Sequence, residues 1–348
     1  MVAATLDLTI CICVRNGERH VDRCFSSLVR ETEGSGVVIH VVDHLSTDRT
    51  PELLKTWENG PGRDGRIKLF KCAAVGIAAA RDFAWRTATT EWIGFVDIDA
   101  DVREGWLKDI AASAEALRDD AKCAAFGGRN HVPESSGPAI YRAYSIALGS
   151  YVGGHGSVLN RPVTSRVAVD HIPTLNVVYR RKALEDVGGF DPVFERVAED
   201  IDLSFRLRRA GYTLLAVPGM ALEHHMRYNP VAWARNMYLY GRGRMMWMLR
   251  HHGAFKAKFV VAPVIAFIYA IALIHDLFTG APARALVTLL FLHFVAALAG
   301  IFPSALRGGR ERPVRLLDFI AAGLVVVVTH ISYGAGALRQ WAWNRFLI

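Results

Sequence analysis

Cysteine is scarce in this chain of 348 residues: Cys11, Cys13, Cys24, Cys72 and Cys123 are all there is. The number is odd, and Cys11-x-Cys13 has no second cysteine pair to close a zinc site. That excludes a disulfide framework and a zinc ribbon. The five are expected as reduced thiols within strands and helices. Residues 1–8 carry no basic stretch and no long apolar run, so no secretory signal is expected and the N-terminal part is expected in the cytosol. No helix-turn-helix or RNA-binding signature occurs, so nucleic acid is not an expected partner despite a net charge of +8. Long hydrophobic runs are missing before about residue 258.

After that point they dominate. The spans at about 259–275, 284–302 and 316–338 each approach the ~20 residues that cross a bilayer. Arg242, Arg244, Arg250, Lys256 and Lys258 lie just before them, and Arg307, Arg310, Arg312 and Arg315 lie between the second and third. Anionic membrane lipids are therefore the expected partner of the basic excess. With the N-terminal part inside, the loop 303–315 is also inside and obeys the positive-inside rule, whereas Arg339 and Arg345 fall outside and do not. In residues 229–257, Trp233, Met237, Tyr240 and Trp247 alternate with arginines. They fit amphipathic helices in the headgroup plane, or a packed linker with arginines in water.

The first two-thirds alternates strand and helix. Residues 9–14, 37–42, 67–70 and 92–96 read as strands. Residues 21–30, 52–57, 76–87, 106–117 and 200–209 read as helices. This spacing predicts an α/β domain on a mostly parallel sheet. Residues 130–175 are rich in Gly, Ser and His with weak periodicity, and read as an irregular binding loop. The expected domains are 1–228, 229–257 and 258–348.

Chemistry gathers where apolar runs end in acids. Residues 92–96 lead into Asp97-x-Asp99, so a buried strand delivers carboxylates to its carboxyl end, where open α/β sheets bind ligands. Two such acids can share a divalent cation that also holds phosphates, or can be solvated turn residues. Asp43 ends another buried run and can accept from a nucleotide or start a turn. Arg15 and Arg81 can pair with phosphates or with these acids. Asp200 can cap a helix or act as general base toward an acceptor hydroxyl. His224 and His225 point opposite ways on an extended chain, so one of them is expected beside a metal. Together these residues suggest metal-assisted transfer from a nucleotide-activated donor.

The series Asp43, Ser46-Thr47-Asp48-Arg49-Thr50, Gly76 through Arg81, Asp97-x-Asp99, Val187-Gly188-Gly189-Phe190-Asp191, Glu199-Asp200-x-Asp202-Leu203, Arg206, Ala210-Gly211-Tyr212 and His224 occurs in that order. It resembles the family 2 inverting glycosyltransferases of the GT-A fold over residues 7–228. With the apolar tail, the chain is most similar to bacterial polysaccharide glycosyltransferases of the succinoglycan glucosyltransferase type. The resemblance implies a GT-A domain followed by interfacial and about three transmembrane helices, at a bacterial inner membrane. It implies transfer of one hexose from a UDP-sugar, with Mn²⁺ or Mg²⁺, to a polyprenyl-(di)phosphate-linked acceptor. Arg15, Asn16, Asp43, Arg81, Asp97 and Asp99 would bind the nucleotide sugar, and Asp99 and His224 the metal. Asp200 would be the base, supported by Glu199, Asp202, Arg206 and His225, with Arg206 bracing Glu199. Asn176, Arg242 and Arg244 would approach the acceptor.

Three departures stand out. The first strand ends Cys13-Val14-Arg15-Asn16 instead of Pro-x-x-Asn, Arg81 is followed by Asp82 instead of Asn, and no Q-x-x-R-W follows residue 224. The last disfavours a processive synthase. Alternatives are a synthase of polyprenyl-phosphate sugars and a non-catalytic module of the same fold.

Overall fold

The structure is a computed structural model that describes residues 6–73, 75–134, 138–154, 157, 163–225, 229–280, 283–306 and 313–346. In chain order the first elements are β1 (Leu8–Val14), α1 (Val21–Thr32), β2 (Val38–Asp43), α2 (Thr50–Asn59), β3 (Ile67–Lys71), α3 (Ile77–Thr87), β4 (Trp92–Val96), β5 (Ala100–Val102) and α4 (Trp106–Ala116). There follow β6 (Cys123–Gly127), β7 (Asn130–His131), α5 (Ile140–Gly149), α6 (Tyr151–Gly154), β8 (Val167–Ala168), β9 (Asn176–Arg180), α7 (Arg181–Val187), α8 (Glu199–Arg209), β10 (Thr213–Ala216) and β11 (Leu222–His224). The last four helices are α9 (Pro230–Arg250), α10 (Val261–Thr279), α11 (Arg284–Ala305) and α12 (Leu316–Phe346). The chain divides into two compact units, one of Met1–His131 and Arg161–His225, the other of Val132–Asn160 and Met226–Ile348.

The first unit is built on an eight-stranded sheet in the order β3-β2-β1-β4-β9-β6-β10-β8. The β1–β2, β2–β3, β1–β4 and β6–β10 pairs are parallel, and β9 runs antiparallel between β4 and β6. Every residue of β1 and of β4 is buried, which explains their unbroken apolar runs: a strand covered on both faces has no polar side to alternate. α1 packs Val21, Cys24, Phe25 and Leu28 into the same core as β1 and β2. Each such fully buried side chain contributes roughly 1.5–3 kcal/mol. All five cysteines are buried and unpaired, and burial pushes the Cys13 thiol up to about 12. They are inert packing residues, as expected.

One core residue gives the unit a pH dependence. His40 on β2 is buried, with Nδ1 2.8 Å from Thr87 Oγ1. That hydroxyl donates to the Ala84 carbonyl, so His40 Nδ1–H is the donor to it. Burial, aided by Lys68, lowers the imidazole to about 4. The unfolded chain binds this proton near 6.5, the folded chain only near 4, so stability is complete above pH 6.5 and is lost as pH falls toward 4. His40→Gln should remove about 2 kcal/mol of the destabilisation otherwise seen between neutral pH and the low end of that window. Melting midpoints of the two proteins across the window check this, and parallel curves would contradict it.

In the second unit, the segment read as an irregular loop is partly helical. α5 buries Arg142, Ala143, Tyr144, Ser145, Ile146 and Ala147 in succession. A helix covered nearly all round shows no amphipathic stripe, so its period was invisible. Arg142 Nε donates to Asp318 Oδ2 at 2.8 Å, and the Tyr144 ring packs tilted at 55° against Trp233, centroids 4.7 Å apart. Three helices are long and apolar enough to cross a membrane, at Ala257–Thr279, Arg284–Ala305 and Leu316–Arg345, matching the expected spans. Residues 307–312, which carry three of the four loop arginines, lie outside the described residues.

Candidate active site

The sheet order places β2 and β4 on either side of β1, and at such a switch point the chain leaves a crevice outside the carboxyl ends of the strands. Asn16 follows β1, Asp43 ends β2 and Asp97 follows β4. Asn16 adopts φ +55, a left-handed conformation that asparagine tolerates. Its backbone N–H donates to Ser46 Oγ at 2.9 Å and its side-chain oxygen accepts from Thr47 N at 2.8 Å. Ser46 N donates to Asp43 Oδ1 at 3.3 Å, and Gly17 N donates to Thr50 Oγ1 at 2.8 Å. The Ser-Thr-Asp-Arg-Thr run is therefore a loop stitched to the end of β1, and Asp43 lies at its base. Arg15 is exposed beside it.

Arg81 on α3 is the hub. It is 6% exposed, and its two terminal nitrogens divide between two acids. Nη2 donates to Asp97 Oδ1 at 2.6 Å, and Nη1 pairs with Glu199 Oε1. Burial works against this charge, but Asp97 and Glu199 outweigh it and raise the guanidinium further. Burial raises the Glu199 carboxyl to about 7, with Arg81 pulling it down and Asp200 pushing it up. Arg81 thus ties the end of β4 to the start of α8. Asp82, the residue that departs from the family pattern, accepts from Trp85 Nε1, Arg86 Nε and Phe190 N. It holds the Gly188–Gly189 turn, where a Cβ on Gly189 would strike it.

Asp99 meets His224. β11 pairs with β5 so that His224 lies opposite Ala100, and its Nε2 comes 3.2 Å from Asp99 Oδ1. Burial alone would raise the Asp99 carboxyl, but the imidazole holds it at about 2. Burial opposes charge on His224, and Asp99, with Asp97 behind it, raises its pKa all the same. His225 points the other way, with Nε2 3.0 Å from Asp101 Oδ2 and its backbone N–H donating to the Asp99 carbonyl. Of the two histidines, the structure places His224 at the acids that follow β4.

Asp200 is not a helix cap. α8 begins at Glu199 with Ala198 in the cap position at φ +73. Asp200 lies in the first turn, where Oδ1 accepts from Ile201 N at 2.7 Å and Oδ2 sits 3.0 Å from His171 Nε2. Acids in a first turn are favoured by the helix dipole. His171 was not singled out from the sequence: it stands alone in an aperiodic stretch, and only tertiary folding brings it to Asp200. Arg206 does not brace Glu199. It donates to Asp202 Oδ2 at 2.7 Å and to the Val187 and Gly189 carbonyls. Asp202 is fully buried by this pairing.

Asn176 is not brought to the crevice. It is 0% exposed, accepts from Trp106 Nε1 at 3.0 Å and donates to the Met220 carbonyl, which satisfies its amide internally. Arg242 and Arg244 belong to α9 in the second unit. Among the described residues no group of three or more His, Cys, Asp or Glu side chains is arranged to hold a metal by itself.

Residues 9–188, just over half of the chain, match the family described as Glycosyl transferase family 2. The chain belongs to glycosyltransferase family 2. Residues 151–303 of this glycosyltransferase also match Glycosyl transferase family group 2. It is 29% identical over 252 residues to the pre-mycofactocin glycosyltransferase of Mycobacterium tuberculosis, which covers 70% of this chain and 48% of that one. The chain thus spans about half the length of that relative. It is 30% identical over 108 residues to the uncharacterized glycosyltransferase EpsJ of Bacillus subtilis, 31% of this chain and 30% of that one. Its fold is similar to the mannosyltransferase PcManGT of Pyrobaculum calidifontis, solved in complex with GDP-Man and Mn²⁺, at TM-score 0.58 and 19% identity over 97% of this chain and 88% of that one. At that identity the likeness concerns the fold, a GT-A core.

Proposed function

We propose that this glycosyltransferase moves one hexose from a UDP-sugar, with inversion, to a hydroxyl of a polyprenyl-diphosphate-linked glycan at the cytosolic face of a bacterial inner membrane. The observation that carries the reading is the cluster around Arg81. One buried guanidinium fixes Asp97 and Glu199, and with them the positions of Asp99 and Asp200 on either side. In this reading the nucleotide lies over Arg15, Asn16, Asp43 and Asp97. The acceptor oxygen attacks the anomeric carbon, the bond from that carbon to the diphosphate breaks, and the acceptor proton passes to the Asp200 carboxylate. His171, Glu199 and Asp202 act through Asp200 by fixing the first turn of α8. In the second unit, Arg242 and Arg244 would face the acceptor's phosphates.

A divalent cation, Mn²⁺ or Mg²⁺, fits the donor set at Asp99 and His224. One carboxylate and one imidazole already lie within hydrogen-bond distance of each other; the carboxylate suits either metal, and the imidazole nitrogen favours Mn²⁺ over Mg²⁺. Two protein ligands do not complete a shell, which leaves positions for phosphate oxygens. When bound, the ion would neutralise charge on the departing diphosphate.

The reading predicts that Asp99→Ala raises the Mn²⁺ concentration needed for half-maximal nucleotide release at least about tenfold, the size expected for losing one direct ligand. Asp101→Ala, whose partner is His225, should change it less than about threefold. Equal effects would remove the metal role from Asp99.

A further inference from the structure

α9 and α12 pack closely and run in the same direction. Trp233 Nε1 donates to Thr329 Oγ1 at 2.8 Å near one end, and Arg242 Nε donates to Gln340 Oε1 at 3.2 Å nine residues further along α9. Glycines permit the approach: a Cβ on Gly241 would collide with the Tyr333 carbonyl, and one on Gly336 with the Tyr238 carbonyl. Beside the Arg242–Gln340 pair, Arg242, Arg339, Gln340 and Trp343 line a cavity of about 110 Å³.

The charges in this cavity do not balance. Arg339 donates to the Tyr238 hydroxyl at 2.9 Å and Arg242 to the Gln340 amide, and among the described residues neither guanidinium has a carboxylate within ion-pair distance. Gln340 is buried, and its amide nitrogen is held by Asn344 at 2.8 Å. That fixes the amide oxygen toward Arg242, so the guanidinium is oriented and its terminal nitrogens remain for another acceptor. Two oriented forks that converge on one small cavity match a phosphate oxyanion in charge and in bidentate geometry. Trp343, about half exposed, supplies an apolar wall at the rim, and Trp341 beside it is also partly exposed. Tryptophans at a helix end of this kind sit at headgroup depth.

We propose that this cavity is a phosphate-binding site whose ligand is a phosphoryl group, free or carried by a lipid. Because Arg242 and Arg339 line one cavity, Arg339 lies on the same side as Arg242, which corrects the expectation that it falls outside. The site extends to the C-terminal helix the acceptor-phosphate role given above to Arg242, and rests on that reading only for the placement of these helices at a membrane. The test is calorimetric titration of the full chain in non-ionic detergent with three probes: inorganic phosphate, dihexanoyl phosphatidic acid, and dihexanoylglycerol as the same acyl body without phosphate. Phosphatidic acid should bind, dihexanoylglycerol should not, and Arg242→Gln and Arg339→Gln should each weaken binding about tenfold or more. Arg242→Lys and Arg339→Lys, which keep the charge, should recover part of the loss, and Arg345→Gln should bind as wild type. If phosphatidic acid binds at least about tenfold more tightly than inorganic phosphate, the ligand is a lipid. If the two bind equally with the same arginine dependence, the site is one for the free ion. Binding unchanged in the double Gln variant, equal binding of dihexanoylglycerol, or equal loss in the Lys and Gln variants would overturn the proposal. No donor sugar enters the measurement, so its failure is distinct from a failure of the glycosyl-transfer reading.

Discussion

Asp200→Asn lowers kcat for transfer to a hydroxyl acceptor by about 10³-fold and leaves nucleotide-sugar affinity within about twofold. The magnitude is that of a general base removed from a reaction whose nucleophile is otherwise a poor one. The substitution keeps the shape of the side chain and its contact with Ile201 N, and removes the charge that faces His171, and with it the capacity to take a proton. Because Asp97, Asp99 and Arg81 are untouched, binding and turnover separate. Steady-state kinetics of the variant, with nucleotide affinity from equilibrium titration, check both halves. A loss confined to affinity would place Asp200 in donor binding instead, and a loss under about tenfold would show that no base is required. The second outcome fits a phosphate acceptor, which is already ionised, and so favours a synthase of polyprenyl-phosphate sugars.

The other large effect concerns stability. Arg81→Met should destabilise the first unit by about 3–5 kcal/mol, because it leaves two carboxylates facing each other with their shared counter-charge gone. Glu199, 5% exposed, cannot reach water for compensation. Adding Glu199→Gln to Arg81→Met should restore at least about 1 kcal/mol, since the acid that the missing arginine exposes is then neutral. Arg81→Lys should fall between, as one ammonium cannot serve both acids with the planar fork of a guanidinium. Thermal unfolding of the full chain and the three variants measures the series. Additive losses in the double variant would contradict the coupling.

The parts of this molecule that were legible from sequence are those where local pattern and tertiary role coincide. β1 and β4 could be read because burial on both faces leaves an unbroken apolar run, and their ends because charge begins where burial stops. The three apolar helices are equally plain, since a lipid-facing helix has to be apolar on its outer side. What stayed hidden depends on packing between distant residues. Nothing near His171 in sequence signals that it will reach Asp200, 29 residues on. Arg206 and Arg81 were both available to Glu199, and only the tertiary fold, which brings Arg81 of α3 to the start of α8, decides for Arg81. His224 and His225 are equivalent as a dipeptide, and the pairing of β11 with β5 selects between them. Asn176 sits in a buried strand next to the Trp106 indole and the Met220 carbonyl, so the same amide that looks chemical in sequence is a packing device in the fold.

The most direct test of the account is nucleoside diphosphate release by the full chain in detergent. It would use a panel of UDP- and GDP-sugars, Mn²⁺ or Mg²⁺, and either a polyprenyl-diphosphate monosaccharide or a polyprenyl phosphate as acceptor, with wild type and Asp200→Asn side by side. The account predicts metal-dependent release of UDP that requires the hydroxyl-bearing acceptor and collapses in the variant. Release that proceeds equally well in Asp200→Asn, or no release with any donor while UDP still binds, would contradict it.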